Sequence, residues 1–422
     1  MSSQTQPASL PHDPYAALRL RDYRLFAIGS VLLVISEQMQ SVAVGWELYE
    51  RTGSALALGW VGLVQALPVI GLALPAGGLA DRFDRKRIVL VTQVLMAICS
   101  LTLAVLSFQQ GSIALIYTCL FVSGIARAFH NPASAAFLPQ LVPIRAFGNA
   151  VMWNSSGFQV ASMAGPAIGG LLIALQGEAA LVYVVDALLV LASFGCVAFI
   201  GGQQRQPSPE APSLKTLIAG ISFVWRSKLI LAALTLDMFA VLLGGATTLL
   251  PIFAKDILQV GPAEFGWLRA APAIGAFVMA FSLAHLPPLR QAGKTLLWAV
   301  AGFGVVTVVF GLSRWFWLSL LMLVLSGALD NISVVVRHTL VQLRTPDYMR
   351  GRVSAVNSVF IGSSNELGGF ESGVTAALFG PVLSVVGGGI GTIAVVLAVA
   401  FTWPQIRALG SLEEQSTTAR SG

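Results

Sequence analysis

The sequence predicts an all-α polytopic membrane protein with twelve transmembrane helices arranged as two pseudo-repeated six-helix bundles. Composition, the spacing of apolar runs and the placement of cations carry that prediction. Of 422 residues, 56% are hydrophobic and only 10% charged, with mean hydropathy +0.79, whereas soluble domains carry about 25% charged residues. A soluble globular protein is thereby excluded. The net charge of +6 would suggest nucleic acid in a soluble domain. In a membrane protein it follows from basic residues gathering in cytoplasmic loops that face anionic head groups, so no nucleic-acid partner is expected and membrane lipid is.

Residues 1–23 read as a cytoplasmic lead-in without the apolar core of a cleavable signal, with Arg19 and Arg21, and Arg24 just beyond, holding the start of helix 1 inside. Helix 1 runs to about Trp46, and apolar runs near 56–80, 88–108, 113–130, 150–175 and 179–201 supply helices 2 to 6. Turns are marked by Thr52-Gly53-Ser54, Gln110-Gly111-Ser112 and Gln176-Gly177-Glu178. The N-terminal bundle thus covers 24–201. The Pro-rich, run-free stretch 202–227 reads as a cytoplasmic linker. Runs near 228–252, 263–287, 294–312, 315–340, 352–378 and 381–404 complete a C-terminal bundle over 228–404, followed by a cytoplasmic tail, 405–422. Cys99, Cys119 and Cys196 all lie inside apolar runs and read as small hydrophobes.

Cations test the layout. Asp81-Arg82-Phe83-Asp84-Arg85-Lys86-Arg87 places six charges in seven positions between helices 2 and 3, and its four cations assign that turn to the cytoplasm. By alternation both termini are cytoplasmic, and only Arg51, Lys255 and Arg314 fall outside. An internal repeat agrees: Leu138, Gln140, Leu141, Val151, Ser156 and Phe158 recur 202 positions later as Leu340, Gln342, Leu343, Val353, Ser358 and Phe360, where helix 4 leads into helix 5 of each half. Gly59-Trp60 and Gly266-Trp267 likewise open the second helix of each half. Two parallel repeats with a substrate path between them are the geometry of alternating-access carriers.

Buried charge carries the functional signal, because an ionisable group in the bilayer costs on the order of 2.5–3.5 kcal/mol and usually faces a cavity or a partner. On helix 1, Glu37, Gln40 and Ser41 share one face. Asp186, Asp237, the pair Asp330 and Arg337, and the stretch Ser363-Ser-Asn365-Glu366-Leu-Gly-Gly-Phe-Glu371 add further candidates. Glu37 is expected to bind a proton or a cationic substrate, with Glu366 or Glu371 opposite it across the halves. Asp186 and Asp330 read equally well as static polar ties, and Arg337 as a side chain snorkelling to the interface. No Walker-type phosphate loop, metal-ligand set or nucleophile–base pair occurs.

Gly77 followed by Asp81-Arg82-Phe83-Asp84-Arg85-Lys86 resembles the major facilitator superfamily's loop between helices 2 and 3, Gly, three residues, then Asp-Arg-x-Gly-Arg-Lys, with Asp84 replacing the usual glycine. That departure is common in the branch of bacterial siderophore and macrolide exporters, which the sequence most resembles. The resemblance implies a latch in which Asp81, at the end of helix 2, meets a cation on another helix and closes the cytoplasmic side; Asp84 reads as an offset to its cationic neighbours. Ala161-Ser-Met-Ala-Gly165-Pro166-Ala-Ile-Gly169-Gly170 resembles the family's antiporter motif, which implies export. Gly124-Ile-Ala-Arg127-Ala-Phe-His130-Asn-Pro and Leu268-Arg269-Ala-Ala-Pro resemble the same branch, and Arg269 joins the binding candidates.

The resulting expectation is a monomeric, cofactor-free, proton-coupled exporter of a small amphipathic molecule in the inner membrane, and not an enzyme. The alternatives are an uptake symporter or a lipid or metal facilitator of the same fold, and a non-transporting receptor or assembly partner.

Overall fold

The computed structural model describes residues 13–201, 221–244, 246–286 and 291–410. The ends of the lead-in and tail, most of the linker with Arg205 and Lys215, and Arg290 lie outside the described residues, as do the side chains of Asp81, Arg350 and Arg352. Among the described residues twelve long helices follow one another: α1 Arg21–Thr52, α2 Ala55–Arg82, α3 Arg85–Phe108, α4 Ile113–Leu141, α5 Ile144–Gln176 and α6 Ala180–Ala198, then α7 Lys228–Leu243, α8 Pro262–His285, α9 Ala292–Leu312, α10 Phe316–Arg344, α11 Asp347–Phe379 and α12 Pro381–Thr402. A short α13, Pro404–Arg407, ends the described chain. Eleven are long and apolar enough to cross a membrane, counting α7 with its continuation to Ile257. The remaining one, α11, has ample length at 33 residues; Glu366, Glu371 and its many serines and glycines lower its hydropathy.

Local chemistry explains the ends. Gly53 and Gly177 close α1 and α5 in the left-handed region, with φ 58° and 78°, and their N–H groups donate to Tyr49 O and Ile173 O at 2.8 and 2.7 Å. Asp84 caps α3, its side chain accepting from Lys86 N at 2.9 Å. The Asp84 departure therefore has a local role beyond offsetting nearby cations.

Several boundaries differ from the sequence expectation, α1 among them, which runs on from Trp46 to Thr52. Helix α4 continues past His130 to Leu141, and α5 begins at Ile144. Pro132 and Pro139 lie within α4, and the extension persists because Ala133, Phe137, Leu138 and Leu141 bury against Tyr23, Phe26, Ala146 and Ala150. The second half repeats this: α4 and α10 are each 29 residues, α5 and α11 each 33, and each pair is separated by two residues ending in proline. Helix α7, expected to about 252, stops at Leu243 and continues as a 3-10 turn Ala246–Leu249, a turn Leu250–Ile252 and a π turn Phe253–Ile257. Residues 221–226 are helical, and Val224 packs with Ile230, Leu234 and Val353 of the C-terminal half.

Within the first half α1 packs on α5 and α6, α2 on α4, and α3 on α4 and α6; within the second α8 packs on α10, and α9 on α10 and α12. The halves meet mainly along α2–α11 and α5–α8. Both seams are closed by a glycine from the repeated Gly-Trp pair. A Cβ on Gly59 would lie 3.0 Å from Gly373 Cα, and one on Gly266 3.0 Å from Gly170 Cα. Tyr49 also donates to Asp256 across the halves, and Lys255 Nζ lies 3.7 Å from Glu50 Oε1. All these contacts lie toward the α1–α2 turn. Nearer the Arg82–Arg87 turn, Ile70, which continues the Gly59, Gly62, Ala66 stripe of α2, is 42% exposed. On the facing stripe of α11, a Cβ on Gly362 would meet nothing within 4 Å.

Candidate functional site

A cavity of about 360 Å³ lies between the halves, lined from α1 by Glu37, Gln40 and Ser41, from α2 by Gln65, from α4 by Arg127, from α8 by Arg269 and from α11 by Asn365 and Glu366. Its volume is in the usual range of small-molecule sites. The helix-period stripe of α1 thus reaches the cavity, and the candidates Glu366 and Asn365 stand across from it. Each side chain is placed by ordinary helical spacing, and Gly62 lets α2 approach α11 so closely that a Cβ there would sit 2.7 Å from Glu366 O.

Arg127 organises the N-terminal wall. Its Nε lies 3.5 Å from Glu37 Oε1, Nη1 donates to Gln65 Oε1 at 3.2 Å, and Nη2 to Gln40 Oε1 at 3.3 Å. Gln40 Nε2 in turn donates to Asp186 Oδ2 at 2.8 Å and Ser100 Oγ at 3.3 Å, while Ser36 donates to the other oxygen of Asp186. Asp186, 1% exposed, is therefore a satisfied tie from α6 to α1, linked through Gln40 to the cavity. Glu37 and Arg127 keep side-chain exposures of 32% and 22%, so their ion pair is wet and separable.

The opposite wall depends on the broken α7. The break turns the Thr247 carbonyl away from a continuous helix, and Arg269 Nη1 donates to it at 2.9 Å while Nη2 donates to Ser41 Oγ at 3.1 Å across the halves. Discontinuous helices that expose backbone polar groups at a cavity are a recurrent device in carriers. Both Arg127 and Arg269 act electrostatically on Glu366. Two carboxylates and two guanidiniums thus share one chamber, near charge balance when all are ionised.

Other candidates lie elsewhere. Asp237 and Asp330 are not in this chamber but in a separate cluster of the C-terminal half. Arg337 does not snorkel: it is 2% exposed and donates to Asp237, because a guanidinium two turns into the bundle finds a buried carboxylate nearer than water. Glu371 is absent from the chamber's lining and, among the described residues, accepts only from neighbouring Ser372 at 3.5 Å. In the loop that opens at Gly77, the Asp81 side chain lies outside the described residues, and Arg82 is exposed. Arg85 donates to Ala80 O and Ala136 O at 3.3 and 2.9 Å, and Lys86 to Ala198 O and Ile200 O at 2.9 and 2.6 Å. These cations bind together α2, α4 and the end of α6 in one half. In the glycine motif, Gly165 and Gly169 face α1, with built Cβ atoms 2.6 Å from Gln38 Cβ and 3.2 Å from Met39 Cα. Gly170 faces α8, and Pro166 O lies 2.6 Å from a Cβ on Gly266. Sequence reasoning assigned no role to Arg127, Gln65 or Thr247. A lone guanidinium in the apolar run 113–130 is the signal that would have found Arg127.

Two six-helix units enclosing a charged chamber at their seam define a membrane carrier of the major facilitator fold. The sequence profile of the transmembrane secretion effector family matches residues 12–419. The chain belongs to that family, whose members here are transporters and not enzymes. It is 25% identical over 401 residues to the enterobactin exporter EntS of Shigella boydii serotype 18 (strain CDC 3083-94 / BS512), covering 94% of this chain and 96% of the relative. The enterobactin exporter of Escherichia coli (strain SMS-3-5 / SECEC) matches to the same extent. Among solved structures, a bacterial homologue of the human lysosomal transporter Spinster, inward-facing and occupied, superposes with TM-score 0.73 at 15% identity, covering 94% of this chain and 99% of the other. A POT family transporter in complex with 5-aminolevulinic acid also gives 0.73, at 12% identity, covering 92% and 96%. At such identities these two establish the fold.

Proposed function

We propose that this transporter exports a small amphipathic molecule across the inner membrane in exchange for protons, as a monomer working by alternating access. The observation that carries the reading is the half-hydrated Glu37–Arg127 pair in a chamber shared by both halves. A carboxylate whose guanidinium partner can leave changes its proton affinity with conformation, which is what coupling requires. The four-cation turn Arg82–Arg87 supports a cytoplasmic place for its end of the bundle and for both termini. With that orientation, the exposure of Ile70 and the open space at Gly362 support an inward-open state. The exporter relatives and the intact glycine motif support efflux over uptake. Asp81 is proposed as part of the cytoplasmic closure, with Arg85 and Lys86 keeping the surrounding half rigid.

Everted vesicles and proteoliposomes with an imposed pH gradient test this, with ethidium as the cationic probe. Uphill ethidium entry into everted vesicles, with counterflow of protons, is expected. Glu37→Gln should lose gradient-driven flux by about tenfold or more, the range in which loss of a positioned acid–base group falls. Wild-type flux and unchanged proton movement in Glu37→Gln would refute the assignment. Accumulation only in right-side-out vesicles would make the protein a symporter instead.

A further inference from the structure

The C-terminal half contains a second cavity, of about 180 Å³, that the coupling reading does not use. It lies among α7, α8, α9 and α10 and adjoins the central chamber, since Thr248 and Asn365 line both. Its walls include Phe303 and Phe310, the latter stacked on Phe253 with ring centroids 4.8 Å apart. Among the described residues, the one carboxylate that reaches it is Asp330 of α10.

Asp330 makes no hydrogen bond or ion pair among the described residues, yet it feels Asp237 and Arg337 electrostatically. Arg337 is already committed to Asp237. Two carboxylates therefore share one guanidinium inside the bundle, leaving an excess negative charge when both are ionised, a costly state away from water. Two of the cavity's hydroxyls are committed elsewhere: Thr307 donates to Phe303 O at 2.8 Å and Ser326 to Leu323 O at 2.7 Å, so both offer only lone pairs to the space. The other polar lining residues, Thr247, Thr248 and Asn365, stand at the rim shared with the central chamber. A proton on Asp330 would need no room, whereas this cavity has room beyond a water molecule. An unpaired carboxylate, the two committed hydroxyls of Thr307 and Ser326 and aromatic faces together complement an ammonium group, which carries only donors and is attracted to ring faces.

We propose that this cavity binds a primary alkylammonium ion, with Asp330 as its counter-ion and Phe303 and Phe310 along its alkyl stem. The entrance is the rim at Thr248 and Asn365. Binding of n-butylammonium to the purified full-length protein, followed by saturation-transfer NMR and calorimetry, tests it, with n-butanol and butyrate as neutral and anionic controls. Saturable binding of the amine alone is expected. Asp330→Asn should weaken it about tenfold or more, as expected for losing a buried charge-assisted hydrogen bond. Phe303→Leu, which keeps the side chain apolar and uncharged, should weaken it by about two- to fivefold through the lost ring face. Should Asp330→Asn not fold, the Phe303→Leu result decides. Absence of saturable amine binding, equal binding of n-butanol, or wild-type affinity in the folded Asp330→Asn or Phe303→Leu protein would overturn the proposal. Glu37→Gln, which alters the central chamber, should retain the binding; its loss there would relocate the site and overturn the proposal too. No flux is read, so the site and the coupled-export reading fail separately.

Discussion

Replacing Gly170 with alanine puts a methyl group where the two halves touch. Built on the backbone, its Cβ lies 2.4 Å from Pro262 O and 2.7 Å from Gly266 Cα, and both neighbours are main-chain atoms that cannot swing aside. Relieving such a clash requires α5 and α8 to separate. Overpacking costs about 1–3 kcal/mol, which corresponds to a shift of about 5- to 150-fold in the balance between this conformation and one open at the Thr52 end. The assay is cross-linking of Glu50→Cys with Lys255→Cys, whose parent side chains lie 3.7 Å apart across the seam, after Cys99, Cys119 and Cys196 are replaced by serine. With a short bis-maleimide, Gly170→Ala should cross-link at least about fivefold more slowly than its parent. Gly148→Ala is the control, because a Cβ there meets nothing within 4 Å. A Gly170→Ala protein that cross-links at the parent's rate with unchanged thermal stability would refute the reasoning.

Arg337→Ala should lower stability by about 3–5 kcal/mol, since it strands Asp237 as an uncompensated buried charge; the thermal midpoint of the purified protein reads it, and Asp237→Leu with Arg337→Met should recover most of the loss. Asp84→Ala removes the cap of α3 and should lower stability by about 0.5–2 kcal/mol. An unchanged midpoint in either single variant would contradict its assigned role.

Apolar run length made the membrane spans legible, because the bilayer imposes a minimum stretch on every crossing helix. It failed where helices leave the bilayer: beyond His130 the chain turns polar, yet α4 continues on the burial of Ala133, Phe137 and Leu141, which no membrane signal records. Glu37, Gln40 and Ser41 could be placed on one face because three and four residues along a helix is a local relation. The Arg127 pairing was not legible, since it joins α4 to α1, and Arg337–Asp237 spans 100 positions. The break in α7 was hidden for another reason: Leu242 to Phe253 reads as one apolar run, and only its paired glycines, its threonines and Pro251 hint that its backbone will serve a cavity.

The length of α5 has a mechanical consequence. From Gly170 at the seam to Ile144 at its other end are 26 residues, a lever arm of about 39 Å at 1.5 Å per residue, so roughly 10° of tilt about the glycine contact sweeps that end, and the helices packed on it, through about 7 Å. A pivot of two touching backbones and a stiff rod more than a bilayer's core long convert a small rocking movement at one surface into a wide aperture at the other.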